Sequence, residues 1–144
     1  MMRAAGVIAL ALGAAAAAAG PEEQRKEKAK LEGRWRVTSV EVDGEALPPE
    51  DVRGMGLAFK GDRLVSERGG KKVEEGAYRV DPTASPKTMD VDFAEGPNKG
   101  KTWPVLYALE GDTLRICGGQ AGEGRPAGFG TKGTGTILVT LRRE

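Results

Sequence analysis

The chain has 144 residues, with 22 Lys+Arg, 21 Asp+Glu, no His and one Cys. Without His there is no Ser-His-Asp triad, no Cys-His dyad and no HExxH zinc site, and a single Cys makes neither an intrachain disulfide nor a CxxC metal knuckle. A formal net charge of +1 lacks the basic excess of a general nucleic-acid binder, and the length allows one domain.

The N-terminus reads as a targeting segment. Met1-Met2-Arg3 is a short basic start, residues 4–12 are apolar, and residues 14–19 are a small-residue stretch of the A-x-A type. Residues 1–19 are therefore expected to be a secretory signal peptide cut near Ala19. The alternative is an uncleaved membrane anchor, but the run is short and Ala-rich, whereas about 20 strongly apolar residues are needed to span a bilayer. Cleavage removes only Arg3 from the charges and leaves 21 basic and 21 acidic groups. The mature protein is expected outside the cytoplasm, secreted or periplasmic, with no membrane attachment. Acids and bases alternate along it, so no single-sign patch is expected. Cys117 becomes an unpaired thiol in an oxidising compartment; a buried, inert Cys is the plainer reading and a reactive one the alternative.

Residues 20–30 are charged, with Ala29 the one side chain of clear apolar character, and form a leader or a short surface helix with acids early and bases late. From Leu31 onward the period is two. Eight strand-like runs follow, at 33–42, 55–60, 63–68, 73–80, 87–93, 101–110, 113–117 and 136–143. Asp43-Gly44, Gly61-Asp62, Gly69-Gly70 and Gly111-Asp112 punctuate them as hairpin turns. Many short strands at this spacing indicate an all-β barrel or sandwich over residues 31–144. Parity puts Met55, Leu57 and Phe59 on one face, and likewise Tyr78 with Val80, Met89 with Val91 and Phe93, Trp103 with Val105, Tyr107 and Leu109, and Ile137 with Val139, Leu141 and Arg143. The first strand is less regular: Trp35 and Val37 share one parity, Val40 and Val42 the other, as in a strand bulged midway or covered on both faces. An eight-stranded barrel is filled by its own side chains or holds one small ligand.

The candidate chemistry is sparse. Gly100-Lys101-Thr102 ends like a P-loop, but residue 95 is Glu and a strand follows where the motif needs a helix. Residues 118–135 hold eight glycines without G-x-G-x-x-G, which suits a long mobile loop at the barrel mouth; Phe129 within it is expected to cover one end of the barrel. Asp90 and Asp92 share a strand face, yet Ca²⁺ takes six to eight oxygens and two carboxylates supply few of them. No metal ligand set, cofactor motif or catalytic residue is found. Trp35, Tyr78, Trp103 and Tyr107 are either a packed core or the wall of an apolar pocket.

Leu31-Glu32-Gly33-Arg34-Trp35 places a Gly-x-Trp on the first strand, as in lipocalins. Val42-Asp43-Gly44, Leu47-Pro48, Phe59-Lys60-Gly61-Asp62, Glu75-Gly76-x-Tyr78, Asp81-Pro82-Thr83, Tyr107-x-Leu109, Gly111-Asp112-Thr113-Leu114-Arg115-Ile116-Cys117, Arg125-Pro126 and Phe129 extend the pattern. With them the chain resembles a family of secreted bacterial proteins, known chiefly from planctomycetes, that has a lipocalin-like (calycin) barrel and no established activity. The resemblance implies a single eight-stranded, up-and-down antiparallel barrel. It also implies a closed end made by Gly33 and Trp35 under Arg143 of the last strand. It supplies no catalytic residues. The function expected is that of a non-catalytic binding or interaction module whose ligand, where it has one, is small and apolar and is contacted by Trp103, Tyr107, Tyr78 and Phe93. A second reading is a protein-binding or inhibitor-type barrel with a filled core that acts through its loops, and a third is an enzyme using acids alone. None of the readings involves nucleic acid.

Overall fold

A computed structural model describes residues 19–144; the expected signal peptide lies, except for Ala19, outside the described residues. The described chain begins with helix α1 (Pro21–Leu31), then β1 (Gly33–Val42), the two-residue β2 (Glu45–Ala46) and one turn of helix, α2 (Pro49–Val52). The remaining strands are β3 (Met55–Lys60), β4 (Arg63–Arg68), β5 (Lys71–Asp81), β6 (Lys87–Glu95), β7 (Thr102–Glu110), β8 (Thr113–Gly118) and β9 (Ile137–Arg143). β1 and β3 to β9 pair in sequence order, all antiparallel, and β9 returns to β1, closing an eight-stranded up-and-down barrel. Closure removes the free sheet edges that a strand protein must otherwise protect. β2 pairs only with the end of β1.

Tight turns set the strand ends, and alternation sets the faces. Leu64, Tyr78, Val80, Met89, Val91, Val105, Tyr107, Leu114, Ile116 and Leu141 all point inward and are at most 3% exposed. The irregular parity of β1 is a bulge. Its register against β9 shifts between Val37 and Ser39, so Trp35 and Val37 face the core before the bulge and Val40 faces it afterwards. One extra residue flips every later side chain to the other face, which is why both parities carry apolar residues.

The charged segment 20–30 is a helix, and it does more than lie on the surface. Gln24, Glu27, Lys28 and Leu31 recur at helical spacing and face the barrel. Leu31 is fully buried and Glu27 is 3% exposed. α1 thereby caps one end of the barrel. Gln24 Oε1 accepts the Val80 N–H at 3.1 Å, and Lys28 reaches Asp62 at 2.9 Å while standing 4.9 Å over the Tyr78 ring.

Two expectations are corrected by the long connection after β8. Residues 119–136 border the mouth only with their two ends; between them the segment folds back and is tied to the outer wall. Arg125 donates to the Val105 and Met89 carbonyls at 2.9 and 3.2 Å and to Asp90 at 2.7 Å. Thr131 donates to Glu41 at 2.6 Å and accepts the Gly44 N–H at 2.8 Å. Leu106 and Cys117 have outward parity, yet they are 3% and 0% exposed because this segment covers that wall. The Cys117 thiol donates to the Gly128 carbonyl at 3.5 Å, and burial pushes its pKa up, which suits an inert thiol. Phe129 is half-buried and takes no part in lining the open end.

The surface charge stays mixed in three dimensions, with one local exception. The outward positions 113–117 of β8, 138–142 of β9, 34–38 of β1 and 56–60 of β3 carry Arg115, Arg142, Arg34, Arg36 and Lys60 and no acid. On the other side of the barrel, Asp90 and Asp92 face outward from β6 and are held by Arg79, Arg125 and Thr102. Acids from neighbouring strands and turns balance most of the cations, Arg34 pairing with Glu67 and Glu144 and Arg115 with Glu110, and the exception is the facing pair Arg36 and Arg142.

Candidate functional site

The interior divides into a solid half and a hollow half. In the solid half, next to α1, Trp35, Phe59, Tyr78, Tyr107, Met89, Leu114 and Leu141 are each at most 1% exposed. Phe59 and Tyr78 meet edge to face at 5.1 Å. The end is closed by the arrangement that the lipocalin resemblance implies. The Arg143 guanidinium lies 4.2 Å from the centre of the Trp35 ring and donates to the Lys30 and Glu32 carbonyls at 2.9 and 3.2 Å, and its Nε is 3.4 Å from Asp112. The Trp35 indole donates to the Leu31 carbonyl at 2.9 Å. Gly33 sits at φ +119°, a conformation that a side chain would strain, and this starts β1 directly beneath Arg143.

Glu27 is the other polar element of this end. Its Oε2 accepts from the Tyr107 hydroxyl at 2.7 Å and from Lys87 at 3.0 Å, and Lys30 stands 3.5 Å from Oε1. Desolvation alone would raise its pKa, but the bonds from Tyr107 and Lys87 and the two ammonium charges outweigh it and hold the carboxyl below its usual value. Burial and the Glu27 carboxylate push the Tyr107 phenol far up. The Tyr78 hydroxyl is buried without a hydrogen-bond partner, and desolvation drives its pKa up as well.

The hollow half opens opposite α1. A cavity of about 680 Å³ is walled by Val37, Met55, Leu57, Leu64, Ile116 and Val139, with Phe93 and Trp103 forming one side. The two rings are 6.4 Å apart and tilted by 31°. The space exists because Ser66 and Gly118 take inward positions there. A Cβ at Gly118 would lie 2.5 Å from Val105 Cγ1 and 2.9 Å from Trp103 Nε1, so the missing side chain lets the indole lie flat. Trp103 is pinned by its N–H to the Gly119 carbonyl at 2.7 Å. The rim is polar: Glu74, Asn98, Lys101 and Gln120 border the opening, and Glu74 Oε1 accepts both the backbone N–H and the side-chain amide of Asn98, at 3.2 and 2.8 Å.

The four aromatics expected around a ligand thus separate. Phe93 and Trp103 line the cavity, while Tyr78 and Tyr107 belong to the solid half. Among the described residues no group of three or more Asp, Glu or Cys side chains is placed to hold a metal ion. Sequence reasoning missed the Glu27–Tyr107–Lys87 cluster, whose signal was the i, i+3, i+7 spacing of Gln24, Glu27 and Leu31. It also missed the rim residues Glu74, Asn98 and Gln120, which stand out only once the mouth is built. No protein-family model, no curated protein and no solved structure matches this chain.

Proposed function

We propose that this protein is an exported, non-catalytic binding module, related to the planctomycete-type secreted barrels its motifs resemble, that holds a small, largely apolar molecule in the open half of its barrel. The observation that carries the reading is the 680 Å³ cavity with aliphatic walls, an aromatic side and a polar rim. Such a volume falls within the 300–1,000 Å³ range typical of small-molecule sites, which are mostly apolar with a few placed polar groups. Phe93 and Trp103 supply flat apolar area, and Glu74, Asn98, Lys101 and Gln120 receive the polar end of the ligand. The solid half gives the site a rigid floor. The rival reading, a protein-binding barrel acting through outer loops such as residues 94–100 or 118–135, needs a filled core and an ordered, exposed loop. It has less support, because the interior is hollow at the mouth.

Titration of the mature domain with N-phenyl-1-naphthylamine, a neutral apolar fluorophore, tests the reading. Saturable 1:1 enhancement in the wild type, lost in a Ser66→Phe variant that melts cooperatively, is the expected result. No saturable binding, or equal binding by the filled variant, overturns it.

A further inference from the structure

Arg36 and Arg142 face one another directly across the β1–β9 ladder. Both are exposed, and neither has a carboxylate within 4.0 Å among the described residues. Side chains directly opposite in an antiparallel pair have Cβ atoms only about 5 Å apart, and like charges placed so repel. The flanking cations are neutralised: Arg34 is paired with Glu67 and Glu144, and Arg115 with Glu110. Among the described residues the Arg142 guanidinium has one hydrogen-bond partner, the Thr113 hydroxyl at 3.4 Å. On its other side Arg36 opposes Gly56, which presents no side chain and has no room for one, since a Cβ there would sit 2.8 Å from the Trp35 carbonyl oxygen. Thr38 and Thr140, a step further along the two strands, are short. Two free guanidiniums thus stand over a flat floor, fixed to a closed barrel.

We propose that this wall binds a linear acidic polysaccharide, with neighbouring carboxylate or sulfate groups bridging Arg36 and Arg142. Guanidinium is the side chain suited to forked contacts with such oxyanions, and an oxyanion between the pair turns a repulsion into two attractions. The other polyanions fit less well. Reading of single-stranded nucleic acid uses aromatic stacking platforms, and among the described residues no aromatic side chain is exposed. Seating on a bilayer needs apolar side chains that enter it; of the exposed large hydrophobics, Leu47 and Val73 lie off β1 and β9, and Val42 lies at the other end of β1, at the cavity mouth. A flexible polar chain bearing oxyanions needs neither feature, and two side-by-side guanidiniums on a rigid strand pair suit it.

The test is isothermal titration of the mature domain with a heparin oligosaccharide at low and at physiological salt. Wild type is expected to bind with strong salt dependence, and the Arg36→Gln/Arg142→Gln double variant at least ten-fold more weakly. Lys71→Gln, an exposed lysine on β5, should leave affinity unchanged. Because the double change relieves a like-charge pair, its melting temperature should equal or exceed that of the wild type, which separates lost binding from lost fold. Equal affinity in the double variant overturns the proposal. Binding of duplex DNA or phosphatidylserine vesicles as tight as binding of heparin overturns the polysaccharide assignment in favour of unselective charge attraction.

Discussion

Replacing Gly118 by Ala adds one methyl group at the point where the cavity wall is tightest. The new carbon would sit 2.5 Å from Val105 Cγ1, 2.9 Å from Trp103 Nε1 and 3.1 Å from Trp103 Cε2. Val105 is fully buried and cannot retreat, whereas Trp103 is half-buried at the mouth and can. The indole should therefore swing outward and give up its bond to the Gly119 carbonyl. Overpacking of this kind costs about 1–3 kcal/mol, and the lost hydrogen bond about 1 kcal/mol. Ala in place of Gly within a strand returns roughly 0.5–1 kcal/mol. The net loss is about 1–3 kcal/mol, or a fall of roughly 4–12 °C in melting temperature for a domain of this size.

Two observables locate the cause. Trp35 lies buried under Arg143, so a red shift in tryptophan emission reports Trp103. A double-mutant cycle with Trp103→Phe isolates the pair: removing the larger ring makes the Ala at 118 less costly, with a coupling of at least about 0.5 kcal/mol. Apolar-probe affinity should fall with the shift in emission, since Trp103 forms one side of the cavity. An unchanged melting temperature together with unchanged emission would refute the claim that Gly118 sets the pose of Trp103.

The closed end yields two further expectations. Glu27→Gln keeps an acceptor for Tyr107 but loses the attraction of Lys87 and Lys30, and should cost about 1–2 kcal/mol at pH 7 in urea titrations. Its depressed folded-state pKa means that the Glu27 contribution is present above its unfolded value near 4.5 and is lost as pH falls through the folded value; the Gln variant should accordingly lose less stability between pH 5 and pH 3 than the wild type, and an equal loss would point to other carboxylates. Arg143→Ala removes the ring contact and two carbonyl bonds at a partly exposed site, a loss of about 2–4 kcal/mol; Arg143→Lys should recover little of it, because an ammonium cannot fork to the Lys30 and Glu32 carbonyls together, and full recovery by Lys would show that charge alone matters there.

The strands were legible because alternation is local. β3 and β4 lie where their apolar parity and the Gly61-Asp62 turn place them, and β6 extends its expected run by two residues. Arg143 was legible as the partner of Trp35 because its parity matches Leu141 and the resemblance names the role. The bulge in β1 could be seen only as a conflict of parities; the ladder with β9 was needed to show where the extra residue sits. The helical cap was obscured by its own composition, since a carboxylate such as Glu27 reads as a surface group until Tyr107 and Lys87, which are 80 and 60 residues away in sequence, are brought to it. The split of the aromatics was beyond parity altogether. Tyr78, Tyr107 and Trp103 all face inward, and parity does not report depth along the barrel axis.

The same limit explains the charge. Along the chain, Arg34 and Arg36 are followed by Glu41 and Asp43, and Arg142 by Glu144, so any short window looks neutral. Barrel closure discards that order. It sets Arg36 beside Arg142, which is 106 positions away in the chain, and turns Asp90 and Asp92 to the far wall with Arg79 and Arg125. The near-neutral total of the chain is therefore compatible with an arginine pair at the β1–β9 seam that has no acid beside it. Arg36 and Arg142 face outward while the cavity lies inside the barrel, so the arginine pair and the apolar cavity are separate features of one fold. Filling the cavity at Ser66 should leave heparin binding intact, and neutralising the two arginines should leave the apolar probe bound.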